Sequence, residues 1–312
     1  MVAGGHPDTI VLIEPDPRAA ARIRQLLRQS WPEAGGLRLR CVERPAQAAE
    51  VLRAHPSGIV LLGVSSEARL RAVAELRAVA PAATIVVLAD RDHEAEALAA
   101  IEAGAQDYLT EPELSAATLR RAVKLAVART RAADRLTHQA LHDSLTGLSN
   151  RALFLDRLGL ALDRCRRSGG CVAVLFLDVD GFKEINDSLG HDAGDRVLVS
   201  LAERLRALLR PADTLCRYGG DEFTLLIEDL ESEHEVVPIA ERISQAAALP
   251  IALECGHAEV TVSIGVAIVA DPNVAVEAVI READAAMYRA KRAGRARFAL
   301  AHDGSAAAAS SA

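Results

Sequence analysis

The chain has 312 residues, with 36 Lys plus Arg against 43 Asp plus Glu and a formal net charge of −7. At roughly 100–200 residues per domain this length suggests two domains, and a half-hydrophobic composition lets each bury a core. An acidic balance argues against coating nucleic acid, which needs a basic field, and no apolar run reaches the ~18–20 residues of a bilayer span. The N-terminus lacks the charged-then-apolar plan of a signal peptide. Cys41, Cys165, Cys171, Cys216 and Cys255 are scattered without a CxxC, which points to reduced thiols and a cytoplasmic protein. Only three basic residues are lysine (Lys124, Lys183 and Lys291), so lysine stands out where it occurs.

In the first half, short β-branched runs alternate with helical stretches. Strands are expected at Thr9–Glu14, Leu37–Val42, Ile59–Val64, Thr84–Ala89 and Asp107–Thr110, with helices such as Ala19–Arg28 and Ala68–Val79 between them. Strands apolar throughout, separated by helices, predict a parallel sheet covered on both faces. Five such units make a flavodoxin-like (βα)5 α/β domain.

The strand ends of residues 7–128 resemble those of response-regulator receiver domains. The run Ile13-Glu14-Pro15-Asp16-Pro17 sits at the acidic pair, Gly58-Ile59-Val60-Leu61-Leu62-Gly63 at the acceptor strand, and Gly104-Ala105-Gln106-Asp107-Tyr108-Leu109-Thr110-Glu111-Pro112 at the strand that carries a lysine before proline. The departures are specific. Gly63 stands where the phosphoacceptor Asp belongs, Ala89 where a Ser or Thr belongs, Glu111 where the Lys belongs, and Pro15 where a metal carboxylate belongs. This implies a degenerate receiver that takes no phosphate there and serves as an interaction and dimerisation module, with a protein partner as one input.

From Ser115 to about Ala140 there is neither Gly nor Pro, and Ser115 suits an N-cap. Spacing of four and three picks out Leu119, Val123, Ala126, Thr130, Ala133, Thr137 and Ala140, a seam of small residues. Two readings stand side by side: a helix packed on its own domain, or one that pairs in a dimer and serves, over residues 129–141, as a linker.

The second half reads as a strand at Cys171–Val179, helices at Lys183–Leu189 and Ala193–Leu209, and a hairpin over Thr214–Glu228. A helix at Glu235–Ala247, a strand at Glu259–Val269 and a helix at Ala275–Arg292 complete an α+β plan. Gly219-Gly220 is read as the hairpin turn. Acids crowd around it. Asp178 and Asp180 are two apart on a strand and share a face. Asp221 and Glu222 are consecutive, so only one of them is expected to join Asp178. Two carboxylates about 4 Å apart repel by roughly 4 kcal/mol at an effective dielectric of 20, so the cluster wants a cation. Hard oxygen ligands favour Mg²⁺ or Mn²⁺ over zinc. Lys183 follows the acid strand by three residues, Arg217 precedes the Gly-Gly turn, and Lys291 and Arg295 lie four apart on one face at the end of the last helix; cations beside a metal suit phosphate. Taken alone, Lys291 and Arg295 would read as favourable charge at a helix C-terminus.

The run Arg217-Tyr218-Gly219-Gly220-Asp221-Glu222-Phe223 is similar to the hallmark of GGDEF-domain diguanylate cyclases. The likeness extends through Asp143-Ser144-Leu145-Thr146-Gly147-Leu148-Ser149-Asn150-Arg151, Asp178-Val179-Asp180-Gly181-Phe182-Lys183-Glu184-Ile185-Asn186-Asp187 and Gly190-His191-Asp192-Ala193-Gly194-Asp195. It continues with Ser263-Ile264-Gly265-Val266-Ala267, Ala283-Asp284-Ala285-Ala286-Met287-Tyr288 and Ala290-Lys291-Arg292-Ala293-Gly294-Arg295. Residues 142–300 are thereby expected to form a nucleotidyl-cyclase palm-like GGDEF domain, followed by a disordered tail over 301–312 and no phosphodiesterase domain.

The resemblance implies condensation of two GTP into cyclic di-GMP and two pyrophosphates by a homodimer, each half binding one GTP. It implies that Asp178, Asp221 and the Val179 carbonyl hold Mg²⁺ (or Mn²⁺). Asp221 is the position credited with taking the 3′-hydroxyl proton, with Glu222 and Lys183 completing the catalytic set. Asn186 and Asp195 are implied as guanine readers. Asp195 can accept from the N1–H and N2–H₂ edge that adenine lacks. His191 is implied near the nucleotide, with a structural histidine as the alternative, and Arg217, Lys291 and Arg295 at the phosphates. Arg210-Pro211-Ala212-Asp213 matches the family's RxxD product-inhibition motif, with Arg210 and Asp213 binding cyclic di-GMP; its plain alternative is a helix end with a Pro stop. A catalytically silent module that senses GTP or cyclic di-GMP and acts as a scaffold is the rival reading. No P-loop competes.

Overall fold

The computed structural model describes residues 9–31, 38–63, 66–89, 94–168, 170–230, 232–253, 256–269 and 273–301. The chain divides into two compact units, residues 1–137 and 138–312. Among the described residues no helix is long and apolar enough to cross a membrane.

The first unit runs β1 (Thr9–Ile13), α1 (Pro17–Ser30), β2 (Arg38–Val42), α2 (Pro45–Ala54), β3 (Ile59–Leu62), α3 (Ser66–Val79), β4 (Thr84–Ala89), α4 (Glu94–Glu102), β5 (Asp107–Thr110) and α5 (Ala116–Leu141). The strands form one parallel sheet in the order β2-β1-β3-β4-β5, an order that fits a flavodoxin-like domain. Apolar side chains alternate between two cores. Val11, Ile13, Val60 and Leu62 face α2, α3 and α4, while Ile10, Leu12, Ile59 and Leu61 face α1 and α5. Two strands are shorter than their apolar runs suggest: β1 stops at Ile13, before Glu14, and β3 at Leu62, before Gly63. Leu37, Val64 and residues 302–312 lie outside the described residues.

The helix α5 resolves the expected seam into two parts. Leu119, Val123 and Ala126 are buried in the core of their own unit, and the Thr130 hydroxyl lies 3.0 Å from that of Thr84. Ala133, Thr137 and Ala140 are exposed, as are Leu125 and Leu136.

The second unit contains α6 (Arg151–Ser168), β6 (Cys171–Asp180), α7 (Phe182–Leu189), α8 (His191–Leu208), β7 (Thr214–Gly219), β8 (Glu222–Leu230), α9 (Val236–Ala247), β9 (Ile251–Leu253), β10 (Gly256–Ala258), β11 (Thr261–Val269), α10 (Val276–Arg292) and β12 (Phe298–Leu300). The main sheet has the order β12-β11-β6-β8-β7, with β9 and β10 forming a separate hairpin. It is antiparallel except for the β11–β12 pair. Four of its elements escaped the pattern reading: α6, whose apolar positions sit among many arginines, and the three-residue strands β9, β10 and β12, too short to show a period.

Strand parity then decides where the chemistry lies. Along β6, Ala173, Leu175, Leu177 and Val179 face the core under α8 and α9. Val172, Val174 and Phe176 face the core under α6 and α10. Asp178 and Asp180 continue this second series, so they emerge on the α10 side. On β8, Phe223, Leu225 and Ile227 belong to the first core and Leu226 to the second, which places Glu222 on the α10 side as well. The helix can lie close because Gly265 of β11 has no side chain. A Cβ there would overlap the Ala283 carbonyl and the Met287 backbone.

Candidate active site

The site is built where β6 ends beside the β7–β8 turn. The turn lies one residue later than the sequence suggests. Gly219 still pairs with Glu222, after an irregularity in β7 that follows Arg217, and Gly220 and Asp221 form the corner. Gly220 takes a φ of +51°, as the tight reversal requires. The shift overturns the expectation that only one of Asp221 and Glu222 can join Asp178. Asp221 is a turn residue, so strand alternation does not apply to it. Its carbonyl accepts a 3.2 Å hydrogen bond from the Val179 amide. Glu222 pairs directly opposite Asp178 in the β6–β8 ladder.

Like charges opposite one another on a sheet destabilise it, and burial adds to the cost of keeping these acids ionised. Asp178 is held above the usual aspartate range by burial and by the charges of Asp221 and Asp180, against the pull of Lys291. Glu222 is likewise raised, first by burial and then by Asp178, Asp284 and Asp221, with Lys291 opposing. One cation answers them: the Lys291 Nζ lies 2.6 Å from an Asp178 carboxylate oxygen. Asp284, seven residues before Lys291 on the same face of α10, was not foreseen; that two-turn spacing is the signal that could have found it.

Asp180 takes a different part from Asp178. Its carboxylate accepts from the Thr261 and Ser263 hydroxyls, both at 2.7 Å, and from the Ala296 amide at 3.1 Å.

Among the described residues no three His, Cys, Asp or Glu side chains form a ready metal cage. The donor set nonetheless fits Mg²⁺ or Mn²⁺. It is all oxygen, burial and then neighbouring acids raise Asp178, and Mg²⁺ is commonly held by one or two carboxylates plus substrate phosphates.

The remaining sequence-derived residues fall into four groups. Asn186 on α7 lies against Gly194 of α8, where a Cβ would overlap its Oδ1. That buried oxygen has no hydrogen-bond partner. Asp195 is the next residue and is exposed, as are Lys183 and His191 at the first turns of α7 and α8. Arg295 is exposed just beyond α10. Arg217, expected at the phosphates, is engaged within the protein. Its Nε donates to the Gly220 carbonyl at 2.8 Å, and its Nη1 lies 3.1 Å from Asp143 Oδ2. The guanidinium therefore braces the turn against the segment before α6. Burial raises the Asp143 pKa, but hydrogen bonds from Thr146 and Arg217 outweigh it and hold the carboxyl below its ordinary value.

Arg210 and Asp213 close a short turn after α8. The Arg210 amide donates to the Asp213 carboxylate at 2.9 Å, and the Asp213 amide donates to the Arg210 carbonyl at 3.0 Å. Arg206, Arg210, Asp213 and His142 line a cleft of about 370 Å³.

In the first unit, the corners of the sheet carry the departures noted above. The Glu14 carboxylate fills the space that a Cβ at Gly63 would need, Ala89 is buried, and Glu111 pairs with Arg22 at 2.8 Å.

Comparison with known proteins bears on both units. Residues 140–297 match the family described as diguanylate cyclase, GGDEF domain. Over 161 residues the chain is 47% identical to the diguanylate cyclase TpbB of Pseudomonas aeruginosa, covering 51% of this chain and 37% of that protein. Over 304 residues it is 32% identical to the response regulator PleD of Caulobacter vibrioides, covering 92% of this chain and 64% of that protein. Among solved structures, the coiled coil and GGDEF domain of DgcB from Caulobacter crescentus, in complex with c-di-GMP, aligns with a TM-score of 0.55 at 29% identity, over 59% of this chain and 97% of that one. The chain thus spans between about a third and two thirds of the length of these curated relatives.

Proposed function

The chain belongs to the GGDEF diguanylate cyclase family, and from that membership we propose that it condenses two GTP into cyclic di-GMP and two pyrophosphates, as a cytoplasmic homodimer. The observation that carries the reading is the meeting of Asp178, Asp221 and Glu222 with Lys291 at the end of β6. Three acids with a single cation make a site that a divalent ion and a triphosphate would complete. Asp178, Asp221 and the Val179 carbonyl would hold Mg²⁺ or Mn²⁺, which when bound polarises a phosphate and eases loss of the hydroxyl proton.

Each residue then has a task. Asp221 takes the 3′-hydroxyl proton of one GTP as that oxygen attacks the α-phosphorus of the other. Glu222, raised in pKa by its neighbours, supports the same corner. Lys291 offsets the charge of Asp178 in the free protein and turns to a phosphate oxygen once that charge is otherwise met. Lys183 and Arg295 add positive charge for the triphosphate. The unpartnered Oδ1 of Asn186 supports a role in base recognition, because a buried acceptor without a donor is unfavourable. Asp195 beside it selects guanine, and His191 lies near the nucleotide. Arg217 orients the turn and is not assigned to phosphate.

Two nucleotides held by two copies must face each other across a two-fold axis. Orienting two bound reactants can supply about 7–11 kcal/mol. The first unit we read as a receiver without a phosphoacceptor, acting through dimerisation or a protein partner. The Arg210–Asp213 turn we read as the inhibitory product site.

Pyrophosphate release and cyclic di-GMP formation from Mg²⁺ and GTP test the proposal, with Asp221→Ala expected to abolish both while the protein stays folded. Nucleotide binding without product at any protein concentration would instead favour the silent scaffold. Arg210→Ala is expected to relieve inhibition by added cyclic di-GMP; an unchanged inhibition curve would remove that site from the account.

A further inference from the structure

Asp180 shares a strand face with Asp178 and carries the same charge, yet it is occupied entirely by protein donors. Two of these, the hydroxyls of Thr261 and Ser263 on β11, fix the carboxylate on the sheet. The third is the amide of Ala296, in the connection between α10 and β12.

That connection is unusual in its backbone. Arg295 and Ala296 are adjacent non-glycine residues at φ +59° and +49°. L-residues in the left-handed region are uphill and persist only where surrounding contacts determine them. The contacts here are identifiable. The Arg295 amide reaches the Ala290 carbonyl at 3.2 Å and the Gly294 amide the Lys291 carbonyl at 3.3 Å, the paired bonds that close a helix through a left-handed residue. The Arg297 carbonyl accepts from the Ile264 amide at 2.9 Å. Between these two fastenings two side chains hold the backbone: the Arg297 Nε donates to the Arg295 carbonyl at 3.0 Å, and Asp180, reaching across from the sheet, accepts from the residue after Arg295.

We propose that Asp180 is a positioning residue for Arg295: by gripping the Ala296 amide it holds the strained turn in the conformation that presents the Arg295 guanidinium to the triphosphate. The inference rests on the nucleotide site proposed above. It gives the paired acids of β6 separate duties. Asp178 meets Lys291, and Asp180 holds the backbone amide five residues beyond it, next to Arg295, so one strand end registers both cations against the acids.

A double-mutant cycle tests this in the full-length protein. Asp180→Asn, Arg295→Ala and the double variant are compared for Mg²⁺-dependent binding of a GTP analogue that cannot release pyrophosphate, measured by calorimetry. Asp180→Asn is expected to weaken binding about tenfold when Arg295 is present and less than about twofold when it is absent, the coupling expected of residues that act as one unit. Asp180 as a purely structural residue would weaken binding by the same factor in both backgrounds, and that result overturns the proposal. Thr261→Val, which removes one of the fixing hydroxyls, serves if Asp180→Asn fails to fold; its smaller loss must show the same dependence on Arg295. A wild-type protein that binds the analogue but makes no product refutes the cyclase reading and leaves this inference standing. A wild-type protein that binds no guanine nucleotide refutes both.

Discussion

Gly265→Ala is the smallest change that should separate the fold from its chemistry. Gly265 faces α10, and an added Cβ would fall inside the contact distance of the Ala283 carbonyl and of the Met287 nitrogen and Cα. All of these are helix backbone, so no side chain can rotate away. Restoring a normal separation of about 3.5 Å requires the helix to retreat by roughly an ångström or more. Overpacking of this kind costs about 1–3 kcal/mol, or roughly 2–12 °C in Tm for a unit of this size.

The same retreat acts on function, because Lys291 lies one turn beyond Met287 and meets Asp178 at 2.6 Å. Misplacement by about 1 Å can cost on the order of 100-fold in rate. The expected result is therefore a folded protein with a modestly lower urea midpoint and a kcat for cyclic di-GMP reduced about 100-fold. The two readouts are far-UV circular dichroism through a urea titration and initial rates of pyrophosphate release. A variant with the wild-type midpoint and the wild-type rate would refute the close approach of α10 to β11 and, with it, the placement of Lys291.

Two further outcomes follow from the charges. Glu222 has a raised pKa, so its contribution to stability is full at low pH and is lost as pH rises through that value. Glu222→Gln should therefore unfold at higher urea than the wild type at pH 7, with the gap closing below about pH 4, where the glutamate is protonated in both states; a gap independent of pH would contradict the electrostatic cause. Asp143 is lowered, so the stability it contributes is present above the ordinary aspartate pKa and is lost as pH falls through its own. Asp143→Asn should cost about 1–3 kcal/mol near neutrality, the range for a charged hydrogen-bonded partner, and should blunt the acid limb of the stability curve. Equal stability of variant and wild type at pH 7 would show that the brace from Asp143 through Arg217 to the turn carries nothing.

The main elements and the chemical neighbourhood were legible in the residues because they depend on local periodicity. Apolar runs of four to six residues between helical stretches marked the parallel sheet, and acids following the long apolar run of β6 marked the site. What hid α6 was its arginine content, which leaves apolar positions looking isolated until the second core is assembled around Phe154 and Leu158. The short strands β9, β10 and β12 carry too few residues for any period.

Chain order alone already implied a cation-seeking cluster in which one of Asp221 and Glu222 joins Asp178, since side-chain chemistry and strand parity are local properties; Asp221 as the metal position and Gly63 in place of an acceptor came from the family resemblances. Which acid answers to which cation was settled only by packing. Gly265 admits the α10 backbone, the turn moves one residue so that Asp221 and Glu222 both reach Asp178, Arg217 is drawn to Asp143 rather than left for a phosphate, and Asp180 turns to the Ala296 amide. These are contacts between residues 18 to 116 positions apart in the chain, and they depend on how closely two elements approach, which no local pattern encodes.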